Sequence, residues 1–239
     1  MEPPTTPVPG PPTPPESDPR AVAPSRRRAG VAAAILLIGA GAVIGALLVG
    51  RDDSPEPATL KAGWSRQAGP GFTLGLPPGW RSFPTTMDEE AFADLEKDDP
   101  GRAAILREAF GGGVSQFIKF LAFDIGTPVS ESFVTNMQVL ILPAPGGLDA
   151  FVEADAAQLR NAEGIASPVQ KQRIVLPAGE AGIVSAQLRL TGTAPLAAVT
   201  HYALVVEDVG FVLQFTTLAE DLAELGPEFE DVARTFRFA

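Results

Sequence analysis

The 239-residue sequence contains no cysteine, one histidine and one tyrosine. The absence of cysteine excludes disulfides, a thiolate nucleophile, a lipidated cysteine and cysteine-ligated metals. The single histidine, His201, excludes a Cys–His pair and a multi-histidine metal site. Because His201 lies in the middle of a predicted strand, a structural role is favoured over that of a catalytic base. We therefore predict a protein that is not an enzyme and that holds no cofactor or metal.

Positive charge is scarce beyond residue 50. Residues 51–239 contain 14 Lys and Arg residues against 26 Asp and Glu residues. An acidic domain is repelled by phosphate backbones and by anionic lipid headgroups, so we do not expect nucleic acid as a partner. The acidic clusters lack the ligand spacing of a calcium loop, and solvated helix faces explain them more simply.

Large apolar side chains are almost missing from residues 1–28, where ten of the first 24 residues are proline. Such a segment cannot bury enough apolar surface to offset its ordering entropy. We predict a disordered, proline-rich cytoplasmic tail. Its P-x-x-P spacings are compatible with docking into an aromatic groove, but a solvated spacer is the favoured interpretation.

Charged residues are absent between Ala29 and Gly50, and a helix of this length spans about 33 Å. Arg26, Arg27 and Arg28 precede the run, so the positive-inside rule places the N-terminus in the cytoplasm. The alternative is a cleaved signal peptide. However, the run exceeds the usual apolar region of roughly 7–15 residues, and no clean A-x-A cleavage site follows it. We predict one transmembrane helix (29–50) in the plasma membrane.

The remaining sequence predicts a linker (51–69) and an extracytoplasmic α+β domain (70–239). Several segments alternate between apolar and polar residues, which is typical of strands in an antiparallel sheet, while others repeat with the helical period. The helices are expected to pack on the faces of this sheet. The main predicted strands are `FTLGL`, followed by a turn and a short strand at Trp80, then `SQFIKFLAFD`, `FVTNMQVLIL` and `GIVSAQLRL`. The other predicted elements are a helix over Leu148–Arg160, a hairpin turning near Asp208 to Gly210, and a helix starting at Gly226–Pro227.

Polar residues on these strands are the candidates for a sheet face that meets a ligand or partner. Asn136 and Gln138 alternate with apolar residues in one strand, and Gln187 and Arg189 do so in another. His201 is the fifth candidate, on the first strand of the hairpin.

Phenylalanine dominates the aromatic residues, with 14 Phe against two Trp and one Tyr. Tyr and Trp are the side chains favoured at binding surfaces, so a carbohydrate platform is disfavoured. A pocket lined by Phe and Leu would suit an apolar ligand, although a filled hydrophobic core is the simpler interpretation.

Two stretches resemble a known family. The segment `FTLGLPPGW`, followed by a helix, resembles the opening of PsbP-like domains, and `GFVLQFTTLAEDLAELGPEFEDVARTFRF` resembles their close. This fold is shared with the Ran-binding Mog protein and with mycobacterial lipoproteins of the LpqN/LpqT type. Members are mostly non-enzymatic accessory or binding proteins, and the resemblance implies no catalytic residue. The lipoprotein cysteine is missing here, and the predicted membrane span takes its anchoring role.

These observations give two functional hypotheses. The first is a single-pass, membrane-anchored accessory or protein-interaction module of a bacterial cell envelope, with an envelope protein as its partner. The alternative is a carrier that binds an apolar or lipid-like envelope ligand between the sheet and the helices.

Overall fold

A computed structural model of the chain describes residues 59–85, 117–126, 133–189 and 195–239 and single positions between 93 and 107. The predicted tail (1–28) and transmembrane helix (29–50) lie outside these residues and stay predictions. Within the described part, no helix is both long and apolar enough to cross a bilayer.

The described residues form an α+β domain of antiparallel strands with helices, two of which have described bounds, and this confirms the predicted fold class for this part of the chain. The strand predicted in `SQFIKFLAFD` begins at Ile118, and the helix predicted to end at Arg160 does so. The strands are β1 (Ser65–Gly69), β2 (Phe72–Leu76), β3 (Trp80–Phe83), β4 (Ile118–Asp124), β5 (Asn136–Pro143), β6 (Gln170–Leu176), β7 (Gly179–Arg189), β8 (Leu196–Val206), β9 (Val209–Leu218) and β10 (Arg237–Phe238). The helices are α1 (Gly147–Arg160) and α2 (Leu222–Thr235).

The strands are arranged in a small sheet and a large sheet. The small sheet has the order β1-β2-β10, and the large sheet has the order β3-β4-β5-β9-β8-β7-β6. The predicted strand-turn-strand at the start of the domain therefore joins the two sheets. Pro77 and Pro78 have no N–H to continue a ladder, and Gly79 takes a φ of 91°, which favours glycine.

The large sheet is covered on both faces. Helix α1 packs on β7 and β8, whereas α2 packs on β9 and on β2 of the small sheet. We call these the α1 face and the α2 face. Successive residues of a strand point to opposite faces, so Val212 joins the core under α1 while Leu213 joins the core under α2. Strands buried on both faces explain the apolar run of β4.

Phenylalanine rings fill the core on the α2 face. Phe215 and Phe229 stack with their ring centres 4.7 Å apart, and Trp80 meets Phe229 edge-on at 6.3 Å. Phe72 stacks on Phe236 at 5.5 Å. These distances are those of directly packed aromatic pairs, so the aromatic residues on this face contact one another.

The N-terminal boundary of the described fold falls inside the predicted linker (51–69). Strand β1 begins at Ser65 and pairs with β2. Before it, Trp64 packs against the core on the α2 face, and Lys61 forms an ion pair with Asp231 of α2. The last part of the predicted linker is thus part of the sheet.

Two further elements differ from the prediction. Helix α2 begins at Leu222, one turn before the predicted start, and contains Pro227. The proline has no N–H for the carbonyl of Ala223, but Ala223 is exposed, so water can satisfy that carbonyl. Strand β6 was not predicted because its residues are mostly polar, and it is the terminal strand of the large sheet.

Candidate functional site

The five predicted site residues lie on different faces of the large sheet. Asn136 and Gln138 of β5 and His201 of β8 point to the α1 face, and all three are buried. Gln187 and Arg189 of β7 point to the α2 face, where Gln187 is half-buried and Arg189 is exposed. The structure therefore brings three of the five candidates together and places the other two elsewhere.

Strand order places further polar residues next to the three that are grouped. Strand β9 lies between β5 and β8, and its Gln214 pairs directly with Gln138 on one side and with His201 on the other. Two residues further along β9, Thr216 pairs with Asn136. We call these five residues the polar patch. With strands about 4.8 Å apart, it extends roughly 10 Å across the sheet.

Helix α1 contributes an acidic residue to the same place. Both carboxylate oxygens of Asp155 lie 3.0 Å from Nδ1 of His201. Asp155 is 6% exposed and His201 is 0% exposed. Because an ionised carboxylate can only accept hydrogen bonds, Nδ1 carries a hydrogen and donates a hydrogen bond to Asp155. This contact fixes the imidazole and leaves Nε2 as the ring nitrogen available to the polar patch.

The polar patch has hydrogen-bonding capacity that the protein does not use. Among the described residues, no partner lies within reach of Asn136 Oδ1, Thr216 Oγ1, His201 Nε2 or either amide atom of Gln138 and Gln214. A buried donor or acceptor without a partner costs about 1–3 kcal/mol. Folding stability therefore does not explain why polar residues occupy these core positions.

The chemistry of the patch is that of uncharged polar groups. It offers amide N–H donors together with amide, hydroxyl and imidazole acceptors, and its only carboxylate is that of Asp155 beside His201. Among the described residues, no three or more His, Cys, Asp or Glu side chains are grouped so that they could hold a metal ion. The described side chains thus supply no ready metal site.

A groove lies at another place on the large sheet. Its volume is about 260 Å³, and Gln187 contributes to its lining together with Ser167, Gln170, Ser185, Val199 and Leu222. The backbone N–H of Gln187 donates to the Ser167 hydroxyl at 2.8 Å, which holds the segment before β6 against β7. The predicted candidate Gln187 is therefore accessible from solvent, in contrast to the polar patch.

In the packing around α2, two titratable groups have raised pKa values. Burial raises the pKa of Glu228, and although Trp80 Nε1 donates to its carboxylate at 2.8 Å, Asp124 and Asp231 raise the pKa further. Burial, aided by Glu230, raises the pKa of Tyr202 to about 12. Glu228 joins α2 to β3, and Tyr202 stays protonated at neutral pH.

Sequence reasoning missed Asp155, Gln214 and Thr216, although two of them carry a signal. Asp155 lies four residues after Phe151 and four before Leu159, on the buried stripe of α1. An acidic residue on a buried stripe needs a partner. Gln214 similarly interrupts an otherwise apolar strand. Thr216 is unremarkable in sequence, since only the register of β5 and β9 reveals its neighbour.

The chain matches no protein-family model and no curated protein sequence. Solved structures with a similar fold include cyanobacterial PsbP from Synechocystis, at 11% identity and a TM-score of 0.45 over 78% of this chain and 99% of that one. LpqN of Mycobacterium tuberculosis, which is involved in cell envelope biogenesis, matches at 12% identity and a TM-score of 0.45. The match covers 74% of this chain and 90% of LpqN. A variant of Mog1 matches at 11% identity and a TM-score of 0.45, and the match covers 73% of this chain and 95% of Mog1. These similarities concern the fold and lie at low sequence identity.

Proposed function

We propose that the protein is a single-pass, membrane-anchored accessory module whose acidic domain faces the outside of the cell and contacts an envelope protein. The observation that carries the proposal is the burial of His201. It is the only histidine of a chain without cysteine, and it is fully buried and held by Asp155. Cysteine is therefore absent and the only histidine is inaccessible to a substrate, which supports binding over catalysis.

The membrane topology rests on the sequence. The apolar run ends at Gly50, and the described fold begins by Leu60, which leaves a short connection between them. At a maximum of about 3.5 Å per residue, ten residues reach at most about 35 Å. The domain would thus work close to the membrane surface.

The partner-facing surface is proposed at the accessible candidates, Gln187 and Arg189. Both lie on β7 and point to the α2 face, and Gln187 lines the groove that begins at Ser167. Asn136, Gln138 and His201 are buried, so a protein partner cannot reach them without unfolding the domain.

The apolar carrier is the less supported alternative. On the α2 face the aromatic rings contact one another at distances between 4.7 and 6.3 Å, as in a packed core. On the α1 face the sheet presents the buried polar patch, whose unpartnered polar atoms would oppose an apolar ligand.

Protease accessibility in intact cells tests the topology. A protease added outside should remove the C-terminal domain and leave the N-terminal segment protected, and a cytoplasmic protein serves as the control for cell integrity. A domain that becomes sensitive only after lysis would overturn the proposal. Site-specific cross-linkers at residues 187 and 189 should then capture an envelope protein, while a cross-linker at exposed Glu153 on α1 provides the matched control.

A further inference from the structure

The polar patch is bounded by apolar side chains on the same face of the sheet. On the β5 side, Leu121 pairs with Gln138 and Phe123 pairs with Asn136. On the β8 side, Val184 of β7 pairs with His201. The patch is therefore a defined polar area within an apolar face, and it lies at the centre of the large sheet.

All five side chains of the patch are at least 99% buried. Their unpartnered atoms belong to three neighbouring strands in matching register, so the five side chains lie side by side on one face of the sheet. An apolar residue at any of these positions would fill the core without the cost of an unpaired polar atom. Register and chemistry together indicate a site that hydrogen-bonds a molecule.

We infer that the polar patch is an internal binding site for a small uncharged molecule that carries hydroxyl or amide groups. Each glutamine offers both a donor and an acceptor, and Asn136 Oδ1, Thr216 Oγ1 and His201 Nε2 add further capacity. A hydroxyl or amide group on the ligand can likewise donate and accept, so it satisfies a mixed set of this kind.

Charge excludes the other ligand classes. An anion would meet the carboxylate of Asp155 and several oxygen acceptors, and the described residues place no Lys or Arg side chain in the patch. A cation would meet amide donors, and the one carboxylate already accepts from His201 Nδ1. A wholly apolar molecule would leave every polar atom of the patch unpaired. The uncharged polar molecule is the class that fits.

This inference does not depend on the membrane anchor or on an envelope partner. A ligand-binding domain would bind the same molecule whichever side of a membrane it occupies. A domain that proves to lie inside the cell could still bind the ligand. Likewise, a domain without a ligand could still be anchored in the membrane and face outwards.

Native mass spectrometry of the full chain tests the inference, using protein extracted with a mild detergent from the cells that produce it. The wild-type protein should carry an adduct heavier than water, and denaturation should release one uncharged compound with hydroxyl or amide groups. The double variant Gln138→Leu/Gln214→Leu should lose the adduct. The matched control Gln172→Leu changes an exposed glutamine of β6, outside the patch, and should keep it.

Circular dichroism distinguishes loss of the site from loss of the fold. Leucine is similar in size to glutamine and suits a buried position, so the double variant is expected to fold. If it does not, the near-isosteric Thr216→Val variant should reduce adduct occupancy severalfold while keeping the wild-type spectrum. A wild-type protein without an adduct heavier than water would overturn the inference. An adduct that persists in the folded variants, or one that proves to be an ion or a hydrocarbon, would do the same.

Discussion

The carboxylate of Asp155 on α1 and the imidazole of His201 on β8 form a buried contact, with both oxygens 3.0 Å from Nδ1. The two residues are 46 positions apart in sequence, and their side chains are almost fully excluded from solvent. The contact therefore joins a helix to the centre of the large sheet, and its loss would leave a buried imidazole donor without its partner.

Asp155→Ala is expected to lower the free energy of unfolding by about 1–3 kcal/mol, because the buried His201 N–H loses its acceptor. Urea denaturation of both proteins measures the change. Asp149→Ala on the same helix is the control, since exposed Asp149 pairs with exposed Arg173 and such pairs contribute at most about 1 kcal/mol. Equal effects of the two substitutions would contradict the predicted role of the buried pair.

Glu228 predicts a pH dependence of stability. Burial raises its pKa in the folded protein, so the folded state holds the proton more tightly than the unfolded state. The resulting stabilisation is present below the unfolded pKa and is lost as pH rises through the folded pKa. Glu228→Gln keeps an acceptor for Trp80 and does not ionise. The variant should therefore gain stability relative to wild type between pH 4 and pH 7, as measured by urea midpoints at both values. A constant difference would refute this prediction.

Gly182 of β7 allows α1 to approach the sheet. A Cβ at this position would lie 2.2 Å from Val152 Cγ2, so Gly182→Ala must displace the helix or its side chain. Overpacking of this kind costs about 1–3 kcal/mol. Gly226→Ala is the control, because a Cβ there meets nothing within 4 Å apart from its chain neighbours, so its effect should stay below about 1 kcal/mol. Thermal unfolding should show a clearly larger loss of stability for Gly182→Ala, and equal shifts would contradict the close approach.

Phe229 is expected to be a main contributor to the core on the α2 face. It stacks on Phe215 and meets Trp80, and it is 1% exposed. Phe229→Ala should cost about 3–5 kcal/mol in urea denaturation. Val175→Ala removes an apolar side chain that is 71% exposed, and it should change stability by less than about 0.5 kcal/mol. A small effect at Phe229 would mean that the core can close around the missing ring.

Local patterns predicted the elements with clear periodicity. The hairpin of β8 and β9 and helix α1 repeat apolar residues at the expected spacing, and their positions differ from prediction by few residues. Strand β6 shows no such pattern, because an edge strand needs to bury few of its side chains. Its existence depends on pairing with β7, which a local pattern does not reveal.

The candidate site could be predicted only in part, for a reason of topology. Asn136 and Gln138 stood out as polar residues in an apolar strand, but their burial depends on what covers the sheet. Gln214 and His201 become neighbours of Gln138 only because β9 and β8 follow β5 in the sheet order. Strand order is a non-local property, and alternation within one strand carries no information about it.

Strand β6, as the terminal strand of the large sheet, also affects aggregation between copies of the protein. In the described part of the chain it pairs only with β7, so its other side presents backbone groups that could extend the sheet into a second molecule. Lys171 and Arg173 of this strand form ion pairs with Glu153 and Asp149 of α1. An incoming strand would have to approach charged side chains that are already held in place. The polar residues of β6, which give it no apolar periodicity in the sequence, thus protect the domain against edge-to-edge aggregation.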